Sequence, residues 1–292
     1  MLTGTYTAIV TPFRDGKIDE EALRRLVRLQ VKGGVDGIVP VGTTGESPTL
    51  DYEEHIRVVE VAVEAAAGKI LVIAGTGGNS TKEAIELTRE AERVGADASL
   101  QVGPYYNKPT PEGMYQHFRE VARSTRLPLI LYSIPGRCGI DISVDTVRRL
   151  AADCPTVVGI KEAGGNADRV SQLRAACGPR FSILSGDDAL TLPFMSVGAH
   201  GVVSVASNVA PKAVARMVDA FARGDLKGAI RAHERLHPLF RDLFIETNPI
   251  PVKTALALMG LVAEEFRLPL CPMSKANLET LAATLRTSGL LR

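Results

Sequence analysis

Residues 129–166 read "LILYSIPGRCGIDISVDTVRRLAADCPTVVGIKEAGGN", with a short apolar run at each end and a longer segment between them. The two runs, 129–134 and 157–163, have the length and the Val, Ile and Leu content of buried strands. The segment between them, "SVDTVRRLAAD", spaces its apolar residues at helical intervals behind a serine that can cap a helix. A strand, a helix and a second strand in this order predict two parallel strands joined by a crossover helix.

The same unit repeats along the chain. Segments such as "DEEALRRLVRLQVKGG" (19–34) and "STKEAIELTREAERVG" (80–95) supply amphipathic helices that end in glycine. Eight strand and helix repeats favour a closed (β/α)₈ barrel over an open doubly wound sheet. The predicted strands are residues 6–11, 37–41, 70–76, 98–103, 129–134, 157–163, 181–186 and 201–205.

The strand pattern stops after Val205, and only helical patterns follow it. "PKAVARMVDAFARG" (211–224) is predicted to close the barrel. We therefore expect a catalytic barrel over residues 1–224 and a C-terminal extension of three helices over residues 225–292. No linker rich in Gly, Ser or Pro separates the two parts, so the extension is expected to pack on the barrel.

Composition excludes several classes of protein. The 292 residues are 45% hydrophobic and 23% charged with a formal net charge of +1, which is typical of a globular protein without a nucleic-acid or membrane surface. No apolar run is long enough to span a membrane, and the start of the chain does not resemble a secretory signal, so a cytoplasmic protein is expected. The four cysteines and five histidines form no metal-binding motif.

Polar residues gather where the predicted strands end, which is where barrels of this class place their working groups. "GTTGES" (42–47) follows the second strand, "GPYYNKP" (103–109) the fourth, and "YSIPGR" (132–137) the fifth. The sixth strand ends in "KEAGGN" (161–166) and the seventh in "SGDD" (185–188). The predicted active site therefore lies at the carboxyl end of the barrel.

Lys161 stands near the end of an otherwise apolar strand. Strand alternation places Gly159, Lys161 and Ala163 on one face and Glu162 on the other. If that face lines the barrel interior, burial would favour the neutral amine that a Schiff-base nucleophile needs. The strand alone leaves a second interpretation equally open, in which the lysine reaches water or pairs with a carboxylate.

Other residues at the strand ends suit the same chemistry. Tyr132 can bring a phenol into the barrel to transfer protons, although a buried tyrosine with a satisfied hydroxyl is the commoner case. Arg137 can hold a carboxylate with two hydrogen bonds, or lie on the surface. The glycines that flank Thr43 and Thr44, together with the two threonine hydroxyls, are suited to binding a small carboxylate. An ordinary strand-to-helix turn would need the same glycines.

Taken together, "GTTGES", "PYYNKP", "YSIPGR" and "GIKEA" resemble the pyruvate-dependent class I aldolases of the dihydrodipicolinate synthase / N-acetylneuraminate lyase family. The resemblance covers essentially the whole chain, including "LSGDD" and "NPIPVK". The double threonine and the arginine after the tyrosine resemble the branch that condenses pyruvate with L-aspartate-4-semialdehyde. The product of that branch is 4-hydroxy-tetrahydrodipicolinate, on the way to diaminopimelate and lysine.

The resemblance implies roles for individual residues. Lys161 would form the Schiff base with pyruvate. Tyr132, Thr43 and Tyr106 would relay protons, with Tyr106 crossing from a neighbouring subunit of a homotetramer built as a dimer of dimers. Substrate would be bound by Thr44, Arg137, Gly186 and the backbone at Val203. The iminium serves as the electron sink, so no metal or organic cofactor is expected.

The resemblance also implies a site for L-lysine as a feedback inhibitor between subunits. Tyr52 stands there in place of a histidine that is frequent in the family. The residues expected at this site are Ser47, Pro48, Tyr52, His55, Asn79, Glu83 and Tyr105.

Two alternatives remain at this level. A related pyruvate aldolase would act on a sialic acid or a 2-keto-3-deoxy sugar acid, against which Arg137 and the Thr43–Thr44 pair argue. A catalytically silent barrel that serves in binding or regulation predicts loss of Lys161 or Tyr132, and both are present.

Overall fold

A computed structural model describes residues 1–291 as a closed barrel of eight parallel strands with helices around it. The predicted (β/α)₈ fold is therefore confirmed. The barrel strands are β1 (Gly4–Ala8), β2 (Gly37–Val39), β3 (Leu71–Gly75), β4 (Ala98–Val102), β5 (Leu129–Ser133), β6 (Val157–Glu162), β7 (Ser182–Ser185) and β8 (Gly201–Ser204).

The first strand differs from its prediction, since it occupies residues 4–8 and not 6–11. Ile9 and Val10 are fully buried and apolar, so the pattern could not show that the ladder ends at Ala8. The backbone N–H of Val10 donates to Oδ1 of Asn208 at 3.2 Å. This N–H is therefore bonded to a side chain and not to the backbone of a neighbouring strand. A short hairpin of Phe13–Arg14 with Lys17–Ile18 follows, which the sequence did not predict.

Most helices begin where the sequence places a capping side chain. The Asp51 carboxylate, for example, accepts from the backbone N–H of Glu54, and the Glu54 carboxylate accepts from the backbone N–H of Asp51. The helices are α1 (Glu20–Gly33), α2 (Tyr52–Ala66), α3 (Thr81–Arg93), α4 (Pro111–Arg123), α5 (Pro135–Cys138), α6 (Val144–Asp153), α7 (Ala167–Cys177), α8 (Thr191–Ser196), α9 (Pro211–Ala222), α10 (Leu226–Asp242), α11 (Ile250–Leu258) and α12 (Lys275–Thr287).

The strand register places the ends of β5 and β6 side by side. Tyr132 pairs with Lys161 across the two strands, and Ser133 pairs with Glu162. The barrel interior is filled by an apolar cluster that includes Tyr6, Ile73 and Val203 and extends to Tyr132 itself. The packed interior supports the carboxyl end of the barrel, where Tyr132 and Lys161 meet.

Helices α10, α11 and α12 follow the barrel, as the sequence predicted for an extension of three helices. Helix α10 packs on α9, and one apolar cluster runs from the barrel helices to Leu281 and Leu285 of α12. We propose to place the boundary between residues 224 and 225, where the Asp225 side chain caps α10. None of the helices in residues 1–291 has the length and apolar character needed to span a membrane.

Candidate active site

Strand β6 places Lys161 inside the carboxyl end of the barrel, where the side chain is only 6% exposed. Nζ lies 4.2 Å from the centre of the Tyr132 ring. Within residues 1–291 no carboxylate lies within ion-pair distance of this amine. Of the two interpretations that the strand allowed, the buried and unpaired amine is the one that the structure shows.

Small residues make room for the Lys161 side chain. A Cβ added at Gly186, at the end of β7, would lie 3.1 Å from Cε of Lys161 and 2.6 Å from Cβ of Ala163. The N–H of Gly186 is already bonded to the carbonyl of Glu162 at 2.8 Å, so this backbone cannot move away easily. Glycine at position 186 therefore keeps the space beside the amine open.

Burial changes the chemistry of this amine. Desolvation lowers the pKa of Lys161 from its usual 10.5 to about 7, the nearby carboxylate of Asp188 opposes the shift, and the Arg137 guanidinium adds to it. A far larger share of this amine is then neutral near pH 7 than of an ordinary lysine, which is almost entirely protonated there. A neutral amine is the form that attacks a ketone.

Asp188 is a buried group to which the sequence analysis assigned no role. Its carboxylate accepts hydrogen bonds from the backbone N–H groups of Val205 at 2.9 Å and Ala206 at 3.0 Å, and from the Ser204 hydroxyl. Burial raises the pKa of Asp188, and these hydrogen bonds lower it. The segment "LSGDD" contributes to the family resemblance, but nothing in the sequence relates the Asp188 carboxylate to Lys161.

An apolar cavity of about 230 Å³ opens above this end of the barrel. Thr43, Tyr132 and Arg137 line it, together with Tyr105 and Cys138. Lys161 is not among the lining residues, and its amine lies against the ring of Tyr132, which is one of them. The structure thus brings Thr43, Tyr132 and Arg137 to the cavity and places Lys161 next to Tyr132.

Tyr132 is fully buried, and burial raises the pKa of its phenol to about 12. The Thr43 hydroxyl and the charge of Arg137 both act in the opposite direction and stabilise the phenolate. At neutral pH the group is therefore a phenol that can donate a proton. Both neighbours that would support a transient phenolate are already in place.

Glu162 faces away from the cavity, as strand alternation predicted. Its carboxylate accepts from the Arg169 guanidinium at 2.8 Å and from the N–H of Gly164 at 2.7 Å. The neighbouring carboxylate in sequence is thus committed to Arg169. It leaves the Lys161 amine without a counter-ion.

The turn that carries Thr43 and Thr44 has unusual backbone geometry. Val41 and Glu46 have φ angles of 51° and 55°, in the left-handed region that a β-branched residue such as Val41 rarely adopts. Such strain persists only where surrounding contacts fix the backbone, and it is concentrated at functional sites. The Gly45 carbonyl accepts from the Thr11 hydroxyl at 2.7 Å, which is one such contact.

The C-terminal extension supplies the other contacts to this turn. Lys253 forms an ion pair with Glu46 in which both side chains are fully buried. Nδ2 of Asn248 donates to Oγ1 of Thr44 at 3.0 Å, and the carbonyl of Asn248 accepts from Nη2 of Arg137 at 3.0 Å. No role could be predicted from the sequence for the residues of "NPIPVK" (248–253), so these contacts are new.

Five of the eight predicted catalytic and substrate-binding residues lie outside the cavity lining, namely Lys161, Thr44, Gly186, Tyr106 and Val203. Tyr106 has a φ of 71° and is 90% exposed, so within this chain it does not reach the cavity. Its role across a subunit boundary remains a prediction. Val203 is buried in β8, in the apolar cluster that also contains Tyr132.

Six of the seven residues predicted for the inhibitor site line a second cavity of about 250 Å³. Asn79, the seventh, donates from Nδ2 to the carbonyl of Tyr105 at 3.2 Å. Burial lowers the pKa of His55 to about 4, and its Nε2–H donates to the carbonyl of Gly75. The lining residues predicted from the sequence are Ser47, Pro48, Tyr52, His55, Glu83 and Tyr105.

Within residues 1–291, no three His, Cys, Asp or Glu side chains are grouped so that they could hold a metal ion. The four cysteines are free thiols.

Comparison with known proteins identifies the relatives of this chain. The family model of the dihydrodipicolinate synthetase family matches residues 1–288. A 4-hydroxy-tetrahydrodipicolinate synthase from Thermodesulfovibrio yellowstonii is 53% identical over 292 residues, which is 100% of both chains.

Solved structures agree with this result. The 4-hydroxy-tetrahydrodipicolinate synthase from Methylacidiphilum fumariolicum SolV is 58% identical with a TM-score of 0.98, covering 99% of this chain and 96% of the other. The enzyme from Cyanidioschyzon merolae, solved with lysine bound, is 43% identical with a TM-score of 0.96, and 99% of each chain is covered. The chain is therefore an enzyme of the lyase type that belongs to the dihydrodipicolinate synthetase family.

Proposed function

We propose that this protein condenses pyruvate with L-aspartate-4-semialdehyde through a Schiff base on Lys161, giving 4-hydroxy-tetrahydrodipicolinate for diaminopimelate and lysine synthesis. Full-length relatives above 50% identity carry the name of this activity, which favours it over the cleavage of a sialic acid or a keto-deoxy sugar acid. The observation that carries the proposal is the Lys161 amine, buried and without a carboxylate partner.

In the first step the neutral amine of Lys161 attacks C2 of pyruvate. The Tyr132 phenol, whose ring lies against the amine, donates a proton to the hydroxyl that leaves as water. The resulting iminium withdraws electrons from the methyl carbon, and the Tyr132 phenolate removes a methyl proton to give the enamine. Tyr132 is a phenol again at the end of this step.

In the second step the enamine carbon adds to the aldehyde of the second substrate, and the aldehyde oxygen takes the proton of Tyr132. Arg137, at the mouth of the cavity, holds the carboxylate of this substrate through its guanidinium. The Tyr132 phenolate takes a proton from the substrate ammonium group and becomes a phenol again. The resulting amine attacks C2 of the iminium and passes a proton to the Lys161 nitrogen, and the Lys161 amine then leaves as the cyclic imine forms. Thr43, next to the phenol, passes protons toward the cavity mouth.

Intact-mass measurement after incubation with pyruvate and borohydride tests the Schiff base. We expect one pyruvate-derived adduct per chain in the wild type and none in Lys161→Met. Turnover with aspartate semialdehyde should exceed cleavage of N-acetylneuraminate and of keto-deoxy sugar acids. An adduct that survives in Lys161→Met, or faster cleavage of a sugar acid, would contradict the proposal.

We also propose that L-lysine binds the second cavity and inhibits the enzyme. The lysine-bound structure of the relative from Cyanidioschyzon merolae supports this, as does the convergence of the predicted residues on one cavity. Ser47, Pro48 and Tyr105 line both cavities, so a ligand in the second one touches the wall of the first. Glu83→Gln should weaken inhibition by lysine and leave pyruvate adduct formation unchanged. Inhibition that is equally strong in this variant would contradict the site.

A homotetramer in which Tyr106 enters the site of a neighbouring subunit is part of the same proposal. The exposure of Tyr106 in the single chain supports it. Tyr106→Phe in a correctly assembled tetramer should lower turnover, and unchanged turnover would count against the relay.

A further inference from the structure

Asn248 is hydrogen-bonded to Thr44, which is predicted to bind substrate, and to Arg137, which holds the carboxylate of the second substrate in the proposed function. Its side chain donates to Thr44 in the strained turn, and its backbone carbonyl accepts from Arg137. The side chain is only 6% exposed. One residue of the segment between α10 and α11 is thus tied to both sides of the substrate-binding end of the barrel.

The amide of Asn248 is only half used by these contacts. Its Nδ2 is bonded to Thr44, but Oδ1 is buried and has no hydrogen-bond partner among residues 1–291. Nearly all buried polar atoms in folded proteins are paired, because an unpaired one loses its bonds to water without replacement. A ligand bound at Thr44 and Arg137 that carries a hydrogen-bond donor would satisfy this acceptor.

The second substrate carries the required donor. L-aspartate-4-semialdehyde has an ammonium group on the same carbon as its carboxylate, whereas pyruvate has no hydrogen-bond donor. When Arg137 holds the carboxylate, the adjacent ammonium comes near the residue that accepts from Arg137.

The described residues of the cavity lining offer no carboxylate that would compete for the ammonium group. Among its described lining residues there is no Asp or Glu, so no carboxylate is available there for an ammonium group. Asn248 is not itself a lining residue and adjoins the lining through its hydrogen bond to Arg137. Two glutamates follow site residues closely in the sequence, but both are already in ion pairs. Glu46 is paired with Lys253, and Glu162 is paired with Arg169. A neutral amide oxygen is also better suited than a carboxylate, since the ammonium must later lose its proton and attack C2.

We propose that Asn248 determines specificity for the amino-aldehyde, with Oδ1 accepting a hydrogen bond from its α-ammonium group. This proposal rests on the proposed function and deepens it. Asn248 also acts as a positioning residue for Thr44 and Arg137.

Succinate semialdehyde tests the contact, because it differs from the natural aldehyde only in lacking the amino group. With saturating pyruvate, we would measure the KM for aspartate semialdehyde and the inhibition constant of succinate semialdehyde. The ratio of the second to the first reports discrimination for the amino group. Loss of a hydrogen bond to a charged group predicts that Asn248→Ala lowers this ratio about 10- to 100-fold.

Two further variants separate the contact from a general loss of positioning. Asn248→Asp keeps an oxygen acceptor and should hold or raise the ratio even if Asn248→Ala does not fold. Thr44→Val removes the partner of Nδ2 but keeps Oδ1, so it should raise the KM for pyruvate and leave the ratio unchanged. An unchanged ratio in Asn248→Ala, or a ratio that falls in Asn248→Asp, would overturn the proposal.

Borohydride trapping with pyruvate alone accompanies every variant. If the wild type forms no adduct at Lys161, the proposed function itself fails. If the adduct forms and the ratio does not respond to Asn248, only the role of Asn248 fails.

Discussion

Two buried lysines in this protein have opposite surroundings. Lys161 is 6% exposed and faces the Tyr132 ring with no carboxylate of residues 1–291 within ion-pair distance, whereas Lys253 is completely buried and paired with Glu46. Burial lowers the pKa of both amines, but Glu46 opposes the shift for Lys253 through its charge and its hydrogen bond. The comparison shows that burial alone does not make a reactive amine, because a close carboxylate favours the charged form.

In the proposed function, this difference separates a catalytic lysine from a structural one. The Lys253 ion pair connects the C-terminal extension to the turn that carries Thr43 and Thr44. Lys161 is supported by packing alone, with Gly186 and Ala163 leaving space beside it. Lys253 stabilises the turn at the site, and Lys161 has no ion-pair partner among the residues that the structure describes.

Replacing Lys161 should give the largest effect on activity. Lys161→Met removes the nucleophile, so we expect kcat to fall by at least about 10³-fold, as when other covalent catalysts lose their nucleophile. Steady-state turnover measures this loss, and full turnover in the variant would contradict the comparison. Stability provides a second measurement, since the variant no longer buries an amine.

The stability change should depend on pH. The folded pKa of Lys161, about 7, lies below its unfolded value, so the unfolded chain binds more protons between pH 7 and about 10.5. The wild type therefore gains stability as pH rises through this window. The advantage of Lys161→Met in urea unfolding should be largest below pH 7 and shrink above it.

Replacing Lys253 should give the largest effect on stability. Lys253→Met leaves Glu46 buried without its partner, which should cost about 3–5 kcal/mol of unfolding free energy. The double variant Lys253→Met/Glu46→Gln should recover much of this loss, because no charge then remains buried. Equal stability of the single variant and the wild type would show that the ion pair is not needed.

The Tyr132 hydroxyl should matter less than the Lys161 amine. Tyr132→Phe keeps the ring against the amine and removes the proton donor, so kcat should fall about 10²- to 10⁴-fold. The pyruvate adduct should still form, but more slowly. A variant that forms it at the wild-type rate would exclude the phenol from imine formation.

Removing the charge of Asp188 should give the smallest effect. Its carboxylate raises the pKa of Lys161, so Asp188→Asn should move the midpoint of pyruvate trapping to a pH below that of the wild type. Trapping at a series of pH values measures the shift. Movement in the other direction would mean that Asp188 does not stabilise the protonated amine.

Sequence patterns predicted the fold and the face of β6 on which Lys161 lies, because both depend on local spacing. Strand periodicity and the order of elements are local, so the eight strands and the inward face of Lys161 could be predicted. The burial of Ile9 and Val10 beyond the first ladder could not be distinguished from strand, because both give the same apolar run.

The contacts made by the extension could not be predicted in this way. Asn248 and Thr44 are 204 residues apart, and Lys253 and Glu46 are 207 residues apart. No local spacing connects such residues, and each alone looks like an ordinary polar residue in a loop or helix. The pairing became visible only when the fold brought the extension to the turn.

The comparison of the two lysines is tested most directly by peptide mapping after pyruvate and borohydride treatment at a series of pH values. The account predicts one adduct, on Lys161, with a trapping rate that rises with a midpoint near pH 7, while the Lys253 peptide stays unmodified. An adduct on Lys253, or a Lys161 profile that rises only near the pKa of an ordinary lysine, would contradict it.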